Sequence, residues 1–290
     1  MSQVKKKTSN SFKARNPSKR NQPSKSQTQP QFNIGKPQRD SRSKPRDDGH
    51  FSKVYGINAC KVFAKQKSSS IIRAFFTQNV APQFSDLMKK LAAQKKVYRI
   101  VSEEELEKVS QSQHHEGVCF NIELDPPIKL SQWLNDEKKK KQSYLLALEN
   151  VGNPHNLGAI MRLAAHFGVD GIAMTNPKAL QSGAARRTAE GGAEFIKIIE
   201  CESMKSLISA AKKEGYSVAT TSSHKGKSLY ETEFSDKCVL LFGEEGPGLS
   251  KDILSSGDFS IQIPGTQNVE SLNVSSSIAI ILGEIWKQKK

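Results

Sequence analysis

The residues of this 290-residue chain best suited to chemistry lie in three polar, glycine-bearing segments of its C-terminal half. The first runs Glu149-Asn150-Val151-Gly152-Asn153-Pro154-His155-Asn156-Leu157-Gly158-Ala159-Ile160-Met161-Arg162. It is rich in turn formers and places Asn156 where a helix N-cap belongs, with Arg162 six residues on, so that cap and Arg are expected to share a face. The second, Leu241 to Ser250, holds Gly243, Gly246 and Gly248 within six residues. Glycines there let backbone amides approach a ligand with no Cβ in the way, although glycines also end strands for purely structural reasons. The third, Ile263 to Ser277, carries Ser271, Asn273 and Ser275 to Ser277. Helix capping accounts for some of these small polar residues, but there are more of them than a cap needs.

The elements that must position these segments follow from periodicity. Strands are expected over 144–149, 171–175, 195–199, 216–220, 238–243 and 259–263, and helices over 156–167, 204–213 and from about 272 onward. Strands alternating with helices imply an α/β domain with a mostly parallel sheet covered on both faces. In such a sheet ligands bind at the carboxyl ends of the strands, where all three segments fall. Residues 51–124 alternate shorter helices (56–66, around 87–92, 103–109) and strands (71–76, 97–101), which reads as a small α/β domain. Residues 125–143, with Asp125-Pro126-Pro127 and the run Lys138 to Lys141, read as a polar linker.

Charge is unevenly spread. The whole chain carries 44 Lys plus Arg against 29 Asp plus Glu, and residues 1–50 hold 13 of the former and 3 of the latter. That segment has six apolar residues and five of the twelve prolines. So few apolar side chains cannot offset the entropy of ordering it, and it reads as a disordered basic arm. The basic balance calls for a polyanionic partner such as nucleic acid, or for an anionic membrane surface. No run approaches the ~18 apolar residues of a membrane span, and no secretory signal begins the chain, so a cytoplasmic protein is expected. Cys60, Cys119, Cys201 and Cys238 lie far apart with no C-x-x-C pair; they read as buried reduced thiols rather than as disulfides or a metal site. Two apparent nucleotide motifs fail: Gly226-Lys227-Ser228 lacks the P-loop glycine at Thr221, and Gly243 to Gly248 spaces its glycines as G-x-x-G-x-G.

Together, in this order and spacing, the three segments resemble the motifs of the SpoU (TrmH-type) branch of the SPOUT RNA methyltransferases. The resemblance covers roughly 144–290. Residues 52–123, with Val54-Tyr55-Gly56 near the start and His115-Glu116-Gly117-Val118 near the end, resemble the ribosomal-protein-like RNA-binding domain that many of these enzymes carry in front. The family implies a parallel-sheet domain whose C-terminal segment passes through a loop to form a deep trefoil knot, an exception to unknotted chains. It also implies an S-adenosyl-L-methionine site in that knot, a homodimer, and methyl transfer to a ribose 2′-hydroxyl of tRNA or rRNA. By similarity the cofactor is held by backbone groups at Gly243, Ile263 and Leu272. Asn156, Arg162, Glu245, Ser271 and Asn273 match the active-site positions, and no metal is implied. The match departs at one point: many relatives carry Met and Gly two and four residues after the third-motif isoleucine, where this chain has Gly265 and Gln267.

The resemblance implies roles as well. A proposal for the family makes the matching Arg162 a general base, which would cost about 7 kcal/mol because a guanidinium has a pKa above about 12; binding the target phosphate or stabilising the developing alkoxide carries no such cost and is the role expected here. Glu245 and Asn273 orient Arg162 or the ribose, and Ser271 positions a hydroxyl or water. The segment from Gly183 to Gly192, with Arg186, Arg187 and Glu190, reads as an RNA-facing loop or, nearly as well, as a solvated charged turn. His155 needs no catalytic role, and His114 and His115 read as interdomain packing or surface residues. The rival reading is a catalytically silent RNA-binding or ribosome-assembly protein on the same scaffold.

Overall fold

The computed structural model describes residues 51–266 and 268–289. The basic arm, Gln267 and Lys290 therefore lie outside the described residues. The first strand is β1 (Phe51–Tyr55), followed by α1 (Ile57–Lys67), β2 (Ile71–Phe76), α2 (Ser85–Ala93), β3 (Val97–Ile100), α3 (Glu103–Ser110) and β4 (Val118–Glu123). These strands form one sheet in the order β1-β4-β2-β3, antiparallel except for the β2–β3 pair. One face packs Val54, Ile71, Ala74, Phe76, Phe120 and Ile122 against α1 and α2 through Cys60, Phe63, Leu87 and Leu91. The other face sets Tyr55, Phe75 and Cys119 against Leu106 of α3. Helix α3 begins cleanly because the Ser102 hydroxyl accepts the Glu105 N–H and three glutamates occupy the positive end of the helix.

The segment expected to be a linker is structured. It contains β5 (Ile128–Lys129) and α4 (Leu130–Glu137). The local signal for this is Trp133, which is fully buried but stands among prolines and lysines that point the other way. Of the lysine run, Lys140 is ion-paired with Glu137 and Asp170, at 2.5 and 2.6 Å.

The remaining elements are β6 (Ser143–Leu148), α5 (Pro154–Phe167), β7 (Gly171–Met174), α6 (Gly183–Thr188), β8 (Lys197–Glu200), α7 (Met204–Lys213), β9 (Ser217–Thr221), β10 (Lys227–Ser228), β11 (Lys237–Phe242), α8 (Lys251–Leu254), β12 (Phe259–Gln262) and α9 (Val274–Gln288). Eight strands make one sheet in the order β10-β12-β9-β11-β6-β7-β8-β5, and every pairing is parallel. Alternate residues of the central strands face opposite layers. Leu146, Leu148, Leu240 and Phe242 pack on α5 and α9, whereas Leu145, Ala147, Val239 and Leu241 pack on α4, α7 and α8. Both faces are thus covered, as continuous apolar runs in the strands require. After β12, which lies beyond β9 in the sheet, the chain returns to place α9 against α5, the helix that follows β6. All four cysteines are free and buried. Among the described residues no helix is long and apolar enough to cross a membrane.

Candidate active site at the strand ends

Loop one follows β6 and loop two follows β11, its neighbour in the sheet, so their roots are adjacent at the carboxyl edge. Loop three leaves β12 and ends at α9. The three loops converge on one hydrogen-bonded cluster. Asn156 Nδ2 donates to Glu245 Oε1 at 3.0 Å, and Asn273 Nδ2 donates to Asn156 Oδ1 at 3.1 Å. Asn273 Nδ2 also donates to Glu245 Oε1. The other end of the same amide caps α9, because Asn273 Oδ1 accepts the N–H groups of Ser275 and Ser276, at 2.9 and 3.3 Å. Both amides are fully oriented by this arrangement, since Asn273 can give its nitrogen to the cluster only while its oxygen faces the helix. One carboxylate oxygen of Glu245 is held by two amide donors, which fixes the group and leaves Oε2 to accept from a hydroxyl.

The helix N-cap is three residues earlier than expected. Asn153 caps α5 by accepting the His155 N–H at 2.9 Å, and Pro154 takes the first helical turn, where its missing N–H costs nothing. Asn156 is freed to point into the cluster. Arg162 does not share its face, because six residues at about 100° each turn the helix by about 240°. The Arg162 side chain is exposed and, among the described residues, has no hydrogen-bond or ion-pair partner. Its Cα lies 2.9 Å from the position a Cβ on Gly192 would occupy. Ser271 is likewise exposed and outside the cluster.

Gly243 sits where the backbone crosses itself. A Cβ there would lie 2.0 Å from the Gly248 carbonyl carbon, so no side chain fits without moving loop two. Gly246 and Gly248 take φ values of 88° and 70°, the left-handed conformation that glycine enters without strain. Leu272 is 45 % exposed, and Ile263 is partly exposed. Among the described residues, the backbone groups of 264–272 enter no hydrogen bond, so loop three retains donors and acceptors for a ligand. Gly265 has open space around it.

One contact at the site is not visible in the sequence, although both its residues bound the chosen segments. The Glu149 carboxylate accepts the Ser250 N–H and the Ser250 hydroxyl, each at 2.8 Å, clasping loop one to loop two. A cleft of about 360 Å³ lies beside this clasp, lined by Glu149, Asn150, Ser203, Lys205, Ser250 and Lys251 among others. It contains none of the expected site residues.

The Gly183–Gly192 segment is not an RNA-facing loop. It forms α6 and packs on β1, where it makes the seam between the two sheets. Arg186 is buried and ion-paired with Glu194, their side chains 7 % and 2 % exposed. Arg187 pairs with Glu116 and, at 3.0 Å, with Glu190, and its Nε donates to the His114 carbonyl at 3.1 Å. Glu190 in turn accepts from Asn58 at 2.7 Å. His115 is buried, and its Nδ1 accepts the Gly117 N–H at 3.1 Å.

The chain is similar to known proteins in both domains. The profile of the SpoU rRNA methylase family matches residues 143–283, and that of the RNA 2′-O ribose methyltransferase substrate-binding domain matches residues 53–127. An Escherichia coli O157:H7 protein described as an uncharacterized tRNA/rRNA methyltransferase, YfiF, is 42% identical over 239 residues, 82% of this chain and 69% of that protein. The 23S rRNA (guanosine-2′-O-)-methyltransferase RlmB of Coxiella burnetii is 29% identical over 240 residues, 82% of this chain and 96% of its own length. Among solved structures, the AdoMet-bound rRNA methyltransferase of Sinorhizobium meliloti superposes with a TM-score of 0.68 at 22% identity, covering 83% of this chain and 89% of that one. These likenesses, with the parallel sheet and its three converging loops, define a methylase domain preceded by a substrate-binding domain. The chain belongs to the SpoU rRNA methylase family.

Proposed function

We propose that this protein transfers a methyl group from S-adenosyl-L-methionine to a ribose 2′-hydroxyl of tRNA or rRNA. The observation that carries this reading is the Asn156–Glu245–Asn273 cluster, assembled from three loops at the carboxyl edge of a parallel sheet, beside a stretch of backbone with unspent hydrogen-bonding groups. Gly243, Ile263 and Leu272 would hold the cofactor. The close backbone crossing at Gly243 and the open groups of loop three fit a ligand read by main chain rather than by side chains.

When bound, S-adenosyl-L-methionine supplies an electrophilic methyl group on a sulfonium. The remaining demands fall on the protein: to hold the hydroxyl in line, to let its proton pass to solvent water at the exposed edge of the site, and to stabilise the charge that its oxygen gains as the proton leaves. Glu245 Oε2 orients the hydroxyl, and the two amides that hold Oε1 fix its position. Among the described residues Arg162 has no carboxylate partner, so it is available to a phosphate or to the developing alkoxide. Ser271 places a water or hydroxyl at the edge of the site.

Three further features belong to this reading. The return of the chain from β12 to α9 threads the trefoil knot. The protein is a homodimer that buries the outer side of α5 and α9, where Trp286 is 47 % exposed and lies edge-on to Phe167. It works in the cytoplasm. A cluster complete in all three of its residues disfavours a catalytically silent scaffold protein. Isothermal calorimetry with S-adenosyl-L-methionine tests the proposal: binding is expected, and folded protein that takes up no cofactor overturns it.

A further inference from the structure

The small domain's sheet is covered unevenly. On the face that carries α3, the helix shields Tyr55, Cys119 and Phe75. The other half of that face is open. Cross-strand pairing places Lys53 of β1 opposite Asn121 of β4, and Asn121 opposite Arg73 of β2, which is itself opposite Val97 of β3. Directly paired residues point to the same side, so these four make one row across the sheet. Phe51, two residues before Lys53, lies on the same side and is 46 % exposed; Val97 is 53 % exposed.

Arg73 reaches this row by a local device. Ile71 faces the buried side, opposite Ile122, and period-two alternation would turn residue 73 to that side as well. The register shifts between Ile71 and Arg73, one extra residue is accommodated, and Arg73 emerges on the open face opposite Asn121. A bulge that moves an Arg out of a core position and onto a bare sheet surface re-aims a side chain; the core on the other face gains nothing from the guanidinium.

Among the described residues the charges on this row are uncompensated. Among the described residues, the side chains of Lys53 and Arg73 have no ion-pair or hydrogen-bond partner. Burial lowers the Lys53 pKa. Asn121 Oδ1 between them is buried and has no hydrogen-bond partner. Among the described residues, Glu123 lies opposite Phe51, and Glu105 is already paired with Arg99 at 2.9 Å. β4 separates β1 from β2, so Lys53 and Arg73 are rooted about 10 Å apart, a span two long side chains can close onto neighbouring phosphates.

We infer that the open half of this sheet face, built on Lys53, Asn121, Arg73 and Phe51, binds a single-stranded segment of RNA. The inference rests on the reading of the chain as an RNA-modifying enzyme and adds where the substrate lies on the small domain. Single-stranded rather than duplex RNA fits, because a sheet with an exposed aromatic offers a stacking platform, whereas an A-form helix hides its base faces. Lys53 and Arg73 take phosphates, and Phe51 stacks on a base.

Fluorescence anisotropy with labelled oligouridylate, on the full chain and across a salt series, tests this. For single strands the slope of log affinity against log salt is about −0.7 per phosphate neutralised, so Lys53→Ala with Arg73→Ala should flatten it by about 1.4. Phe51→Ala should weaken binding about 5- to 150-fold and leave the slope unchanged. Phe51 and Arg73 are exposed and Lys53 is partly buried, and an unchanged melting temperature confirms folding. Wild-type affinity and slope in the double variant overturn the inference, as does a loss confined to duplex RNA or a wild-type protein that does not bind oligouridylate. If the same wild-type protein still methylates RNA, only this inference falls. If it neither binds RNA nor transfers methyl groups, the proposed function falls with it.

Discussion

Arg162 and Arg186 have matching sequence positions. Each lies in the helical segment after a parallel strand of the large sheet, Arg162 after β6 and Arg186 after β7. Their environments are opposite. Arg186 is buried against Glu194, and its neighbour Arg187 is shared among Glu116, Glu190 and the His114 carbonyl. Arg162 is exposed and has no carboxylate partner among the described residues. Arg186 is buried against a carboxylate and so serves the packing of the seam, whereas the exposed donors of Arg162 are the ones the proposed function assigns to substrate. The seam and the strand-end site are therefore separate uses of the same side chain, and substitutions should separate them cleanly.

The largest effect should come at the seam. Glu194→Gln leaves the Arg186 guanidinium buried without a counter-charge, and breaking such a pair costs about 3–5 kcal/mol. Urea denaturation should show that loss, with cofactor affinity retained in the protein that stays folded. Next is Arg162→Ala, which should slow methyl transfer by about 10²–10³-fold, as for a lost donor to a developing oxyanion. Its stability should stay within about 0.5 kcal/mol of wild type, the range for surface changes. A large stability loss in that variant would erase the contrast between the two arginines.

Asn273→Ser separates two roles carried by one residue. Serine still caps α9, so stability should change by less than the ~1 kcal/mol of a lost cap. The amide donor to Asn156 and Glu245 is gone, however, and turnover should fall with cofactor affinity little changed. The smallest effect concerns Glu137, whose side chain is 1 % exposed under β8. Burial pushes its carboxyl up, but hydrogen bonds from Lys140 and Lys197 outweigh this and bring it below the usual glutamate value. A depressed carboxylate stabilises the fold above the unfolded-state pKa of about 4.3 and loses that contribution as pH falls through the folded value. Melting temperature should therefore drop below about pH 4, and Glu137→Gln should lessen the drop.

The contrast also marks how far the sequence can be read. The helix over 204–213 and the strand over 71–76 have the bounds expected from periodicity, because an apolar face at helical spacing and a β-branched, aromatic run are local properties. The three loops are legible through their glycines and small polar residues, and Asn156, Glu245 and Asn273 do meet. The seam is not legible, since Arg186 and Arg187 belong to a helix packed on β1, and Arg187 finds its partners partly in the distant 114–116 turn. The cap on α5 falls three residues before its expected place because Asn153 and Asn156 are the same residue type, and Pro154 decides between them. Helix α4 is hidden in a lysine- and proline-rich segment whose one strong apolar signal is Trp133.

The central claim, ribose methylation directed by Arg162, is tested most directly by mapping. Purified protein, S-adenosyl-L-methionine and RNA from cells lacking this gene should yield a nucleotide whose 3′ phosphodiester resists alkaline cleavage, with wild-type protein and not with Arg162→Ala. Methylation that appears on a base, or that Arg162→Ala performs at the wild-type rate, would contradict it.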